Sequence, residues 1–111
     1  MEELITACLV HARLSSKNPL VRDEMEGLIN ASIFDMKGRG IVKIYDEDND
    51  ITDPLIIECI KLYTKSRINT ASKDSERLFK SYEMLRDSMS LRKEYNEVDW
   101  LYSRKGNRKW R

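Results

Sequence analysis

Cys8 and His11 stand three residues apart in an apolar, helix-like stretch, a spacing at which one metal ion can contact both side chains. A structural zinc site needs four ligands, and the second cysteine, Cys59, stands alone. Acid–base or triad catalysis needs a base beside a nucleophile, but His11 is the single histidine and no such neighbour accompanies it. We therefore predict a protein that is not an enzyme and that uses no metal ion and no cofactor.

A run of acidic residues lies just before the middle of the chain, and three of its aspartates alternate as they do in a calcium-binding loop. That loop type requires a central glycine and a final glutamate, but Ile51 and Ile57 occupy these positions. We interpret the run as an acidic turn that faces solvent or a channel. The arm predicted to form a subunit or channel interface contains Lys43, Tyr45, Asp46, Glu47, Asp48 and Asp50.

The C-terminal tail combines positive charge with large aromatic rings. Aromatic rings among basic residues are typical of segments that bind nucleic-acid backbones. A tail of this kind also fits a docking arm whose aromatic rings anchor in a partner's pocket, or a disordered solubilising segment. The residues predicted to dock on a partner or a neighbouring subunit, or to contact the DNA backbone, are Trp100, Tyr102, Arg104, Lys105, Arg108, Lys109, Trp110 and Arg111.

Four segments with apolar residues at helical spacing must position the arm and the tail. We predict the first helix over residues 2–14. Asn18-Pro19 and Asp53-Pro54 each join an N-cap residue to a proline at the first helical position, so they open the second and third helices. The third helix is apolar on nearly all sides, which predicts a central position.

The fourth helix is predicted to follow a polar break at residues 69–75. Its apolar stripe consists of Leu78, Tyr82, Leu85 and Met89. The opposite face is expected to be solvated, and it contains Glu76, Arg77, Lys80, Glu83, Arg86 and Asp87.

The segment between the second and third helices departs from the helical pattern. We expect the second helix to end at residues 38–40, because glycine easily adopts the left-handed conformation of a helix end. Residues 41–45 are interpreted as one short strand before the acidic turn, so the connection is a long arm or a short β-hairpin. The predicted fold class is all-α: a small four-helix domain with this arm and an optional C-terminal segment.

Charge is distributed unevenly along the 111 residues. From Arg92 to Arg111 there are seven basic and three acidic residues, a net +4; because the whole chain carries +1, residues 1–91 carry −3. This length predicts one domain, placed at residues 1–95, followed by the basic aromatic tail at 96–111. Two cysteines are too few for a secreted disulfide scaffold, and no apolar run approaches the ~20 residues that span a bilayer. We expect a soluble intracellular protein without a membrane partner.

Two stretches, Asp53–Tyr63 and Ser75–Leu91, resemble the head–tail connector family of long-tailed bacteriophages, the adaptor, DNA-packaging or head-completion proteins. The resemblance consists of an acidic residue and proline that open an apolar helix ending near a tyrosine, then a helix that ends in Tyr82-x-x-Leu85-x-x-x-Met89-Ser90-Leu91. Residues 23–31 also fit the early helices of that family, so the resemblance covers about residues 2–95.

The resemblance implies an all-helical structural subunit that forms a homo-oligomeric ring of about a dozen copies. Such a ring docks below the portal protein, extends the DNA channel, closes the filled head and joins it to the next neck or tail-completion protein. Genomic DNA passes through it without sequence specificity. The implied location is the virion neck, and the host cytoplasm during assembly.

A small helical DNA-binding or regulatory protein that uses the basic tail is the alternative. A helix-turn-helix has a compact turn and a basic recognition helix. The predicted fourth helix carries mixed charge after a seven-residue break, which favours the connector.

Overall fold

The structure is a computed structural model that describes residues 1–69 and 73–96. The described residues form an all-α fold, as predicted, and contain no β-strand. Five helices follow one another along them: α1 (Glu2–His11), α2 (Pro19–Gly38), α3 (Pro54–Ile68), α4 (Ser75–Ser90) and α5 (Lys93–Asn96).

The starts of α2 and α3 confirm the predicted caps. The side chain of Asn18 accepts a hydrogen bond from the amide of Leu20 at 2.9 Å, and that of Asp53 accepts one from the amide of Leu55 at 2.8 Å. Each bond supplies an acceptor to a backbone amide of the first helical turn, which has no acceptor within the helix itself. The proline that follows each cap needs no such bond, so these two sequence pairs fix where the helices begin.

The predicted end of α2 is confirmed and the predicted end of α1 is wrong, and the backbone conformation at each end explains the result. Gly40 has a positive φ of 93°, and the amide of Ile41 bonds to the carbonyl of Met36, which ends α2 within the predicted range. The same arrangement ends α1 three residues earlier than predicted. Arg13 adopts a positive φ of 62°, so the amide of Leu14 turns back to the carbonyl of residue 9. The sequence offers no glycine there to indicate it.

Helix α3 occupies the predicted central position, in contact with α1, α2 and α4. Its Ile56, Cys59 and Ile60 are fully buried. The core around them is assembled from every helix and from two isoleucines of the connection between α2 and α3: Ile5, Cys8, Leu9, Met25, Ile29, Ile33, Met36, Ile41, Ile44, Tyr82, Met89 and Tyr95.

The connection between α2 and α3 is an extended arm without regular structure. The strand predicted over residues 41–45 does not form, and the structure does not confirm a hairpin. Ile41 and Ile44 are buried, whereas Val42 and Lys43 are exposed. This three-residue spacing differs from the two-residue alternation of a β-strand, so the segment crosses the surface of the core without pairing with a strand. The amides of Val42 and Lys43 bond instead to the carbonyl of Tyr95 in α5.

Candidate functional site

The acidic turn of the arm is ordered by a single carboxylate. Asp46 Oδ1 accepts hydrogen bonds from the amides of Asp48 and Asp50, at 2.9 and 2.8 Å, and its Oδ2 accepts one from the hydroxyl of Thr52 at 3.1 Å. The backbone closes the same turn, because the amide of Asp46 donates to the carbonyl of Asp50. Asn49 adopts a left-handed conformation at the tip, with a φ of 66°.

Asp46 therefore differs in role from the acidic residues that follow it. The hydrogen bonds from the turn, above all the one from the amide of Asp50, hold the pKa of Asp46 below its usual value. The side chains of Glu47, Asp48 and Asp50 are exposed. We call these three carboxylates the acidic edge; Asp46 orders the backbone of the turn that carries them.

We expect Asp46→Ala to open the turn while the helices stay folded, because the amides of Asp48 and Asp50 lose their acceptor. Amide hydrogen exchange by NMR should show faster exchange at residues 48 and 50 and unchanged protection in α3. Asp48→Ala removes an equal charge without removing an acceptor of the turn, so it serves as the control. Equal exchange in the two variants would show that Asp46 does not order the turn.

The other two residues of the predicted interface, Lys43 and Tyr45, lie in the arm just before the acidic turn. Lys43 is exposed, and its backbone is fixed by the bond to Tyr95. Tyr45 is half-exposed, and the ammonium group of Lys37 lies 5.5 Å from the centre of its ring. The structure thus places all six predicted arm residues in one exposed segment, next to the C-terminal end of α2.

Tyr95 fastens this segment to the core. Its ring is buried, its carbonyl accepts from the arm amides, and its hydroxyl lies 3.0 Å from Asp53 Oδ2. Asp53 is also the N-cap of α3, so one carboxylate joins the end of the arm, α3 and α5. Burial and the hydrogen bond to Asp53 raise the pKa of Tyr95 to about 12. We call the pair Tyr95–Asp53 the arm clamp; neither member was singled out from the sequence as a site residue.

A groove of about 470 Å³ runs between the arm and the N-terminal part of α1. Its walls combine apolar side chains with carboxylates, and Lys61 of α3 is its one lining base. The lining residues are Met1, Glu3, Leu4, Ala7, Tyr45, Asn49, Asp50, Ile51, Thr52, Ile57 and Lys61. The groove is continuous with the acidic edge through Asp50.

A charge cluster around the buried Arg86 joins α2 to α4, and it corrects the predicted face of α4. Arg86 was expected in solvent, but it is only 3% exposed. Its Nη1 lies 2.8 Å from Asp35 Oδ2 and its Nε lies 2.9 Å from Asp87 Oδ1. The hydroxyl of Tyr82 donates to the same oxygen of Asp35 at 2.5 Å. Because residues 82, 86 and 89 are spaced four and three apart, they lie on one face of the helix, and Arg86 belongs to the buried stripe.

The pKa values in this cluster show which ionised states the fold stabilises. Burial alone would raise the pKa of Asp35, but the hydrogen bonds from Tyr82 and Arg86 and the arginine charge outweigh it, so the pKa is lowered. Burial also opposes the charge on Arg86, yet its bonds to Asp87 and Asp35 raise its pKa. Asp35 and Arg86 are therefore both charged at neutral pH.

The two cysteines and the histidine do not form a joint site among the described residues. Cys8 and Cys59 are free and buried, and burial raises the pKa of both thiols, that of Cys59 to about 12. The sulfur of Cys59 lies 3.6 Å from that of Met89 in the core. Within residues 1–69 and 73–96, no three His, Cys, Asp or Glu side chains are grouped so that they could hold a metal ion.

The predicted tail site lies outside the described residues, so its eight residues stay predictions.

None of the described helices is both long and apolar enough to cross a membrane. No known protein family, curated protein or solved structure matches the chain.

Proposed function

We propose that this chain is a structural subunit of the head–tail connector ring of a tailed bacteriophage. About a dozen copies would dock below the portal protein, extend the DNA channel, close the filled head and join it to the next neck or tail-completion protein. The resemblance of residues 53–63 and 75–91 to connector proteins supports this proposal. The structural observation that carries it is the acidic edge, an exposed row of carboxylates held in place by Asp46 and the arm clamp.

An ordered acidic edge suits the lining of a channel through which DNA must move. Exposed carboxylates repel phosphates over distances of about 8 Å at physiological salt, so they prevent the backbone from adhering. Repetition around a ring would multiply this effect, since every copy presents the same three carboxylates. No base-specific contact is needed, in keeping with a channel that passes any sequence.

The charge asymmetry of the chain offers a contact between neighbouring copies. The acidic edge and the groove beside it present carboxylates next to apolar walls. The predicted tail, with its basic residues and its tryptophans, has the complementary chemistry. A tail that reached the arm of the next copy would make a heterologous contact, the type that generates a ring. The four-helix count and the domain division at residue 95 belong to this proposal as its finer structural expectations.

The proposed role is non-enzymatic and places the protein in the virion neck, and in the host cytoplasm during assembly. Sedimentation velocity over a concentration series, combined with electron microscopy, tests it with the purified chain alone and with the portal protein of the phage that encodes it. We expect rings at high concentration or on the portal. A chain that stays monomeric throughout and ignores the portal would contradict the proposal. Salt-dependent DNA binding lost on truncation after Tyr95 would favour the regulatory alternative.

We expect charge reversal of the acidic edge, Glu47→Lys with Asp48→Lys and Asp50→Lys, to impair ring assembly or genome retention without loss of helicity. Asp46 stays unchanged, because its carboxylate holds the turn together. Circular dichroism reports the fold, and electron microscopy with a DNA-retention assay reports the function.

The neutral variant Glu47→Gln with Asp48→Asn and Asp50→Asn is the matched control, since it has similar shape without the charge. It should lie between the wild type and the reversed variant. Full assembly and retention by the reversed variant would exclude the edge from both roles.

A further inference from the structure

Two helices carry apolar side chains on the faces that point away from the core. On α2, Leu20 and Phe34 are 78% and 81% exposed; on α4, Met84 and Leu91 at its end are 69% and 84% exposed. Gly27 lies midway between the two residues of α2, seven residues from each. Seven residues are close to two helical turns, so each set lies along one line of its helix.

These lines are opposite the buried faces of the same helices. On α2 the buried side chains include Met25, Ile29 and Met36. The line that contains Gly27 is on the opposite side of the helix and faces solvent. On α4 the residues Tyr82 and Met89 face inward. Exposed apolar residues scattered singly are ordinary, but here they fall on one line of each helix, at a spacing that lets two helices pack side by side.

We propose that the outward line of α2 in one copy packs against the outward line of α4 in the next copy, with the two helices parallel. The inference rests on the proposed ring and names the surface through which its copies meet. Met84 is placed over Gly27, where a Cβ would have nothing within 4 Å. The shared seven-residue spacing then places Leu91 beside Phe34.

Charge complementarity identifies the partner as a second copy and sets the direction. In this register Lys80 of α4 lies on the same flank of the seam as Glu24 of α2, because residues at equal offsets on two parallel helices fall on opposite flanks. On the other flank Asp23 of α2 lies nearest Arg77 of α4, so opposite charges meet on both flanks at this end. An antiparallel arrangement about the same centre would place Asp87 opposite Asp23, a pair of like charges. The parallel arrangement is therefore favoured.

The two lines differ from each other, so their pairing is heterologous. Each copy that joins through α2 leaves its α4 line free for a further copy. A contact of this kind generates a ring when its rotation closes. The seam thus supplies apolar contact area between copies, which the polar arm and its acidic edge do not provide.

The experiment is a charge exchange across the seam, read by sedimentation velocity and electron microscopy of the full chain. Lys80→Glu alone and Glu24→Lys alone should each raise the concentration needed for association about tenfold, by placing like charges in contact. An equimolar mixture of the two variants should associate like the wild type, because every junction in an alternating ring again pairs opposite charges. Failure of the mixture to recover would overturn the register.

A second set of variants tests the apolar part. Phe34→Glu and Gly27→Leu should each prevent association, whereas Val10→Glu, at an exposed apolar residue of α1, should leave it unchanged. Circular dichroism verifies that each variant is folded. A wild type that forms rings while Phe34→Glu and Lys80→Glu form them equally well would overturn the seam and leave the ring intact. A wild type that never associates, alone or on the portal, would overturn the ring itself. Portal binding by a monomer through these lines would assign them to the portal instead.

Discussion

We expect Asp35→Ala to lower the free energy of unfolding by about 2 kcal/mol, less than the loss typical of a fully buried ion pair, because the side chain of Asp35 is 37% exposed to solvent. Most of the cost arises on the arginine side. The side chain of Arg86 is only 4% exposed, and without Asp35 its guanidinium keeps the more exposed Asp87 as its ion partner. The hydroxyl of Tyr82 loses its acceptor at the same time. Urea unfolding monitored by circular dichroism measures the difference.

A double variant separates the charge from the packing. Asp35→Ala combined with Arg86→Met removes both charges and retains an apolar side chain of similar reach, so the total loss should fall to about 1 kcal/mol. Asp87→Ala is the control. Its carboxylate also contacts Arg86 but is 57% exposed, and we expect a cost below about 1 kcal/mol. Additive losses in the double variant would show that the two charges do not stabilise each other in the fold.

The cluster also shows where sequence patterns stop being informative. The stripe of Tyr82 and Met89 could be predicted from spacing alone, and both are buried. The same spacing places Arg86 on that stripe, but its charge led to its assignment to the solvated face. The partner that permits its burial, Asp35, lies 51 residues away on another helix. A contact of that kind depends on how α2 crosses the bundle, which no local pattern specifies.

The arm illustrates the same division. The pairs Asn18-Pro19 and Asp53-Pro54 predicted two helix starts correctly, because capping is a property of adjacent residues. The acidic turn was also recognised as an exposed element. The hydrogen bonds within the turn could not be predicted, because the sequence does not distinguish the aspartate that accepts the amide hydrogen bonds from the carboxylates that face solvent. The strand prediction failed because Ile41 and Ile44 pack inward without a neighbouring strand.

Loss of the arm clamp should have the second large effect. We expect Tyr95→Ala to cost about 3 kcal/mol of unfolding free energy, because it removes a buried aromatic ring. The single-turn helix α5 has little stability without that ring, so the carbonyl that binds the arm amides should lose its position. Amide exchange at Val42 and Lys43 should then accelerate more than exchange in α3. Hydrogen exchange by NMR or mass spectrometry, together with urea unfolding, measures both effects.

Tyr95→Phe separates the ring from its hydroxyl. It keeps the packing and the backbone bonds to the arm and removes only the bond to Asp53, which retains the amide of Leu55 as a partner. We expect a cost of about 1 kcal/mol and an arm that stays ordered. If the arm functions as proposed, Tyr95→Ala should impair ring assembly at a temperature where the helices remain folded, and Tyr95→Phe should not. Equal assembly by both variants would mean that ring assembly does not depend on an ordered arm, and the acidic edge would then have no role in the proposed assembly.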